Sequence, residues 1–166
     1  MRKHALGAFM LIVAVGCANV RQPIRNFEDV TPTPAANLRI PPGGIVVRIE
    51  RSKDLPNAFG GRDIYGGKVA LGFSELRFQG ISSEGHVRLR SSDVRVQSAE
   101  STMTRYGAGG PLPTLDQTRS ESPPEVVDFV LDLEQSRELE FHGYRVSVRA
   151  VAAHELVYDL QPVPSE

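Results

Sequence analysis

The sequence predicts an all-β domain, an antiparallel β-sandwich or small barrel of about eight short strands behind a proline-rich tether. Beyond Gly44, apolar and polar residues alternate with a period of two in most segments. No window of about twelve residues shows a convincing helical period. The chain of 166 residues also holds 15 glycines and 12 prolines, which is typical of a protein with many turns. Short strands joined mainly by short turns favour antiparallel pairing.

Size and composition exclude several other classes of protein. The 166 residues are enough for one ordinary domain but too few for two well-buried ones. The formal net charge of −1 offers no overall attraction to nucleic acid, so we expect no nucleic-acid partner. The single cysteine excludes a disulfide framework and any multi-cysteine metal site.

Residues 1–16 have the pattern of an export signal. Arg2 and Lys3 form a positive end, and an apolar run of eleven residues follows over 5–15. A helix of that length rises only about 16 Å, roughly half of the hydrocarbon thickness of a bilayer. We therefore expect residues 1–16 to be a removable signal peptide that takes no part in the fold.

The stretch Ala14-Val15-Gly16-Cys17 resembles the lipobox of bacterial lipoprotein precursors. In that family the chain is cut before the cysteine, whose thiol receives a diacylglyceryl group and whose new amine is usually acylated, often with palmitate. The family prefers Leu where Ala14 stands. The resemblance implies that Cys17 is lipidated, and Ala18 in place of Asp points to the outer membrane of the cell envelope, with the domain facing the periplasm. The alternative is an ordinary secretory signal that leaves Cys17 as a free thiol.

Residues 17–44 read as the acylated N-terminus and a flexible tether. Five prolines interrupt the segment, namely Pro23, Pro32, Pro34, Pro41 and Pro42. Proline cannot donate to a regular backbone ladder and favours extended geometry. The segment is therefore expected to lift the domain off the membrane. The alternative is that part of it, residues 38–40, packs along the domain as an edge strand.

The β domain is expected over residues 45–161, followed by a tail at 162–166. The apolar positions of its predicted strands are expected to face inward, and they are, in order, Ile45, Val47, Ile49; Val69, Leu71, Phe73; Leu76, Phe78; Val87, Leu89; Val94, Val96; Val127, Phe129, Leu131, Leu133; Leu139, Phe141; Tyr144, Val146, Val148; Leu156, Tyr158, Leu160. The apolar phase changes near 72–75, where a bulge or bend facilitated by Gly72 is expected. A second change at Ser91-Ser92 indicates a turn or another bulge.

Two loops are the candidate recognition sites. Residues 60–67 place Arg62, Asp63 and Tyr65 between glycine pairs, a composition that suits a binding loop. A wide turn between strands is the alternative. The stretch 106–125 is longer than an ordinary connection and carries apolar residues that a mere connection does not need.

Charge is unevenly distributed along the sequence. Residues 121–140 carry seven carboxylates against one arginine, whereas residues 77–105 carry five arginines against three carboxylates. These segments either neutralise each other across neighbouring strands or form two oppositely charged faces that orient a partner.

No catalytic, cofactor or metal-binding constellation is found in the sequence. His86, His142 and His154 lack metal-motif spacing. Ser74 lacks the second glycine of a nucleophile elbow and falls within a predicted strand. The carboxylates Asp128, Asp132 and Glu134 share a strand face, which is commoner for solvent-facing acids than for a paired-acid hydrolase.

The sequence thus favours a membrane-anchored envelope lipoprotein whose β domain is a non-catalytic interaction or assembly module. Its expected partner is another envelope protein or a cell-wall component. A carrier or sensor that holds an apolar ligand between the sheets is the first alternative. A cell-wall hydrolase is the second.

Overall fold

The computed structural model describes residues 22–107 and 119–164. The expected signal peptide and Cys17 lie outside the described residues. The all-β prediction is confirmed, because the described residues form ten strands and one short helix. The strands make two antiparallel sheets that pack against each other as a sandwich.

The large sheet has the strand order β1-β3-β4-β5-β6, and β7 also pairs with β5. Its strands are β1 (Asn26–Thr31), β3 (Ile45–Asp54), β4 (Lys68–Ile81), β5 (Val87–Ser98), β6 (Arg119–Glu121) and β7 (Glu125–Leu131). β6 and β7 follow one another along the same edge of β5. β6 pairs with Val96–Ser98, and β7 pairs with Val87–Asp93.

The small sheet has the order β2-β10-β9-β8. Its strands are β2 (Leu38–Ile40), β8 (Glu138–Phe141), β9 (Tyr144–Ala152) and β10 (Glu155–Pro162). Helix α1 (Thr102–Tyr106) follows β5 in the chain and is the one helix of the described residues.

The hydrophobic core lies between the two sheets. Its centre contains Tyr158 and Phe78, both fully buried, and the Tyr158 hydroxyl donates a hydrogen bond of 2.7 Å to the carbonyl oxygen of Val46. Burial raises the pKa of the Tyr158 phenol to about 12. The remaining buried members are Val46, Val47, Ile49, Leu76, Val87, Leu89, Phe141, Val146, Val148, Leu156 and Leu160. The sheets are thus joined by a filled apolar core.

The tether prediction is wrong for residues 26–31 and 38–40. Residues 26–31 pair with β3, and residues 38–40 pair with β10, so the domain begins well before Ile45. The alternative of an edge strand at residues 38–40 is confirmed. The prolines fit because Pro32 and Pro34 lie between the two strands, which are both edge strands with one side free of ladder bonds.

The bulge predicted near Gly72 is confirmed. Pairing between β3 and β4 shifts by one residue, because Arg51 faces Gly72 whereas Ser52 faces Ala70. Gly72 has φ +125°, and a Cβ there would overlap the carbonyl oxygen of Val94. Only glycine fits this close approach of two strands.

The bulge changes which face of the sheet Phe73 occupies. Phe73 pairs with Val94 and contacts Arg48, whose neighbours Val47 and Ile49 point into the core. Phe73 therefore lies on the outer face of the large sheet, and the prediction that it shares the inner face with Val69 is wrong. Successive strand residues point to opposite faces unless an extra residue intervenes.

At Ser91-Ser92 the structure has neither a turn nor a bulge. β5 runs straight through this dipeptide, and its pairing with β4 and β7 shows no shift there. Val87 and Leu89 point into the core, whereas Val94 lies on the outer face beside Phe73. The apolar phase changes because the inner face of β5 is apolar up to Leu89, whereas its outer face is apolar from Val94 onward.

A turn at residues 82–85 joins β4 to β5, and within it the Gly85 amide donates to the Ser82 carbonyl at 3.0 Å. Of the long predicted loop 106–125, only the ends belong to the described residues. Its far end contains β6, which the sequence did not predict.

Candidate functional site

One end of the large sheet carries a loop and a helix that we call the tip, defined as residues 56–67 together with α1. The Thr102 amide and hydroxyl both donate to the Pro56 carbonyl, at 2.8 and 3.3 Å. Ser101 caps the helix through a reciprocal pair of hydrogen bonds with Thr104. The loop and the helix therefore form one connected unit.

Two polar side chains hold the loop of the tip in shape. The Asn57 Oδ1 accepts from the amides of Phe59 and Gly61 at 2.9 and 3.0 Å. The Asp63 carboxylate accepts from the Gly67 amide at 3.0 Å and from the Thr102 hydroxyl at 3.4 Å. Through these bonds, the side chains of Asn57 and Asp63 satisfy backbone amides of the loop that have no strand partner. The loop therefore has a fixed conformation.

The three residues of the candidate recognition loop have different surroundings. Tyr65 is 73% exposed and is available to a partner. Asp63 is 5% exposed and is occupied in holding the loop. Arg62 is half-buried, and its Nε donates to the side chain of Gln22. The sequence missed Asn57, although Asn is a frequent organiser of turns.

Most of the exposed large apolar side chains lie on the tip. Nine such side chains are exposed among the described residues, and five of them belong to the tip: Phe59, Ile64, Tyr65, Met103 and Tyr106. The rings of Tyr65 and Tyr106 meet edge to face at 5.8 Å. A concentration of this kind marks an interaction surface more often than scattered single residues do.

The described chain begins at the tip. The Gln22 carbonyl accepts from the Arg62 amide at 3.1 Å, and the Arg25 amide donates to Asp54 at 3.0 Å. The Arg25 guanidinium also bonds to Asp54 and lowers the pKa of that carboxyl. Residues 22–25 therefore run along the base of the tip.

A second candidate site is a groove of about 400 Å³ on the outer face of the large sheet. We call it the outer groove. Its floor consists of Ala70, Phe73, Val94 and Val96, and its walls are Asp29, Arg48 and Glu50 on one side and Arg119 and Glu121 of β6 on the other. An apolar floor between charged walls is the usual composition of a binding cleft.

Ion pairs hold both walls of the outer groove. The Arg48 guanidinium lies over the Phe73 ring at 3.9 Å and bonds to Glu50 at 2.8 Å and to Glu75 at 3.1 Å. On the opposite wall, Arg119 bonds to Glu121 at 2.6 Å. Over the whole lining, three carboxylates stand against three arginines, so the groove presents polar groups without a strong net field: Asp29, Glu50 and Glu121 against Arg48, Arg51 and Arg119.

A polar cluster closes the inter-sheet core on the side of the tip. The Ser74 hydroxyl is fully buried, donates to Asp93 at 2.5 Å and accepts from Arg51 at 2.6 Å. His142 lies 3.8 Å from Asp93 and 3.5 Å from Arg51. Serine, histidine and aspartate meet here, but the hydroxyl donates to the carboxylate and is shielded from solvent. The order of bonds in a nucleophilic triad is serine to histidine to carboxylate, which differs from this arrangement.

The other titratable candidates are spread over the surface. Asp128 pairs with Arg90 across β5 and β7 at 2.7 Å, which lowers the pKa of its carboxyl. Asp132 accepts from the Glu134 amide at 2.9 Å in the turn after β7. The Arg90–Asp128 pair is one instance of neutralisation between the basic and acidic segments. Arg145 instead pairs with Glu138 and Glu140 inside the small sheet.

Comparisons with protein family models, with curated proteins and with solved structures found no match to this chain. Within residues 22–107 and 119–164, no helix has the length and apolarity that a membrane crossing requires. The same part of the chain contains no group of three or more His, Cys, Asp or Glu side chains placed to hold a metal ion.

Proposed function

We propose that this chain is an envelope lipoprotein, attached through acyl chains on Cys17 to the outer membrane. Its β domain faces the periplasm and recognises another envelope component without catalysis. The resemblance of residues 14–17 to a lipobox supports the anchor, since a lone cysteine after a short apolar run has no other evident use. Two or more acyl chains hold a protein firmly, whereas one chain binds only marginally.

The observation that carries recognition is the outer groove. Phe73, Val94 and Val96 supply an apolar floor on the face of the large sheet that the small sheet does not cover. The groove runs from β3 across to β6 and is open to solvent. An extended segment of a protein partner could place an apolar side chain on the floor and bond to the Arg48 and Arg119 walls.

The filled core counts against a carrier of an apolar ligand between the sheets. Phe78 and Tyr158 occupy the inter-sheet space and are fully buried. A ligand there would have to displace side chains that are packed at the density of a protein interior.

Site-specific photo-crosslinking in intact cells tests the role of the groove. A photoreactive residue in place of Arg119 should give a discrete adduct with an envelope component. The same residue in place of Arg39, which is exposed on the small sheet, is the matched control and should give none. Phe73→Asp should abolish the Arg119 adduct, while the circular-dichroism spectrum keeps its β form because Phe73 lies outside the core. An adduct that survives Phe73→Asp, or equal adducts at both positions, would contradict the proposal.

A further inference from the structure

We propose that the tip rests on the lipid surface, with its exposed apolar side chains in the headgroup region and with Arg62 and the flanking Lys53 and Lys68 against the lipid phosphates. The inference rests on the proposed acylation of Cys17. It assigns the part of the domain that touches the bilayer and hence the orientation of the domain.

The first support is the position at which the chain enters the domain. Gln22 is bonded to Arg62 of the tip, and five residue steps separate it from Cys17. Each step spans at most about 3.6 Å, so the acylated residue lies within about 18 Å of the tip. An anchor at Cys17 therefore keeps the end of the large sheet that carries the tip close to the bilayer.

The second support is the apolar surface of the tip. Ile64 is 85% exposed and Phe59 is 78% exposed, which would be unfavourable in water. Ile24, in the segment that enters the tip, is exposed as well. Tyr65 and Tyr106 combine an apolar ring with a polar hydroxyl, which suits the boundary between headgroups and acyl chains.

The third support is the charge of the tip. Asp63 of the tip is buried, and the two carboxylates beside the tip are paired, Asp54 with Arg25 and Glu100 with Arg105. Arg62 of the tip donates to the Gln22 side chain and forms no ion pair with a described residue. Two lysines flank the tip, Lys53 at the end of β3 and Lys68 at the start of β4, and Lys68 lies over the Phe27 ring at 4.2 Å. Cations beside an apolar patch favour a surface of anionic lipid phosphates.

The fixed conformation of the loop completes the argument. Asn57 and Asp63 hold the loop through four hydrogen bonds, so Phe59, Ile64 and Tyr65 need little further ordering when they enter a membrane surface. Binding by a preformed surface loses less conformational entropy than binding by a flexible loop.

Tryptophan fluorescence can locate the tip, because the chain contains no tryptophan. Full-length lipidated Tyr65→Trp is placed in vesicles of phosphatidylethanolamine and phosphatidylglycerol whose acyl chains carry bromine. We expect its emission to move to shorter wavelength and to be strongly quenched. Val130→Trp, at a position of similar exposure on β7, is the control and should be neither shifted nor quenched. Phe59→Asp with Ile64→Asp should restore the emission of Tyr65→Trp without loss of anchoring.

The outcomes separate this inference from the proposed function. The mass of the N-terminal peptide reports acylation, and an unmodified Cys17 would overturn both proposals. An acylated protein whose Tyr65→Trp emission is unquenched, or whose Val130→Trp emission is quenched instead, would overturn the inference alone. Emission of Tyr65→Trp that changes only on addition of envelope proteins would also overturn it, because the tip would then bind a protein.

Discussion

The large sheet has two halves whose apolar residues point to opposite faces. One half is covered by the small sheet, and the other lies toward the tip. In the covered half, Phe78 and Leu89 face each other across β4 and β5 and point into the core. In the other half, Phe73 and Val94 face each other across the same two strands and line the outer groove. The Gly72 bulge and the polar cluster around Ser74 mark the change. The same two strands, β4 and β5, therefore contribute both to the hydrophobic core and to the outer groove.

The largest expected effect compares Phe78 with Phe73. Phe78→Ala should lower the free energy of unfolding by roughly 3–5 kcal/mol, because it leaves a cavity in a close-packed core. Phe73→Ala should cost about 1 kcal/mol or less, because it removes a half-exposed ring and its contact with Arg48. Denaturation by urea measures both values. Equal losses would mean that the groove is part of the core.

Gly72→Ala is expected to have a smaller but clear effect. The new Cβ would meet the Val94 carbonyl at a positive φ, so the strands would have to separate, at a cost of roughly 2–4 kcal/mol. Gly80→Ala is the matched control, since its φ is +111° but nothing lies within 4 Å of the added Cβ. In thermal unfolding, the melting temperature of Gly72→Ala should be well below that of Gly80→Ala. The reverse order would show that the close approach of β4 and β5 is not the reason for glycine at position 72.

The smallest expected effect depends on pH. Hydrogen bonds from Arg149 and from the Asn37 amide lower the pKa of Asp159, and Arg25 does the same for Asp54 near the tip. A depressed carboxyl pKa contributes stability above the unfolded value of about 3.9, and this contribution is lost as the pH falls through the folded value. The melting temperature should therefore decrease in strongly acidic solution.

Substitution at each carboxylate compares the small sheet, which contains Asp159, with the tip end of the large sheet, which contains Asp54. Asp159→Asn should lower the melting temperature near neutral pH and progressively less as the pH falls through the folded pKa, because the wild-type carboxyl then loses its charge. Asp54→Asn should instead loosen residues 22–25 with little change in melting temperature, which amide hydrogen exchange would detect. A melting temperature difference for Asp159→Asn that does not change with pH would argue against the charged form as its cause.

Alternation predicted the strands well, because a half-buried strand shows its period of two directly in the sequence. It could not assign the inner face of β5 beyond Leu89, because Val94 and Val96 line the outer groove and do not belong to the inter-sheet core. Proline suggested a tether where β1 and β2 lie, because the prolines occupy the connections before, between and after these two short edge strands and none lies within them. Helix α1 has five residues, too few to show a period.

The candidate site was predictable only in part. Tyr65 is exposed as the glycine-flanked pattern suggested, whereas Asp63 faces inward because its carboxylate replaces missing backbone partners in the loop. The outer groove was invisible in the sequence, since its floor and walls come from strands that are distant in the chain. Only the pairing of β3, β4, β5 and β6 brings these residues together.

The length of β4 gives a length scale for the large sheet. Its 14 residues are separated by 13 steps of about 3.3 Å, so Ile81 stands at most about 43 Å from Lys68. Through β5, the seven residues of β7 lie alongside the stretch of β4 from Ser74 to Ile81. With the tip at the bilayer, β7 would begin about 20 Å and end about 43 Å from the level of Lys68, on the side away from the lipid. The domain would then act as a rigid spacer, which sets the distance from the membrane at which a periplasmic component could meet that edge.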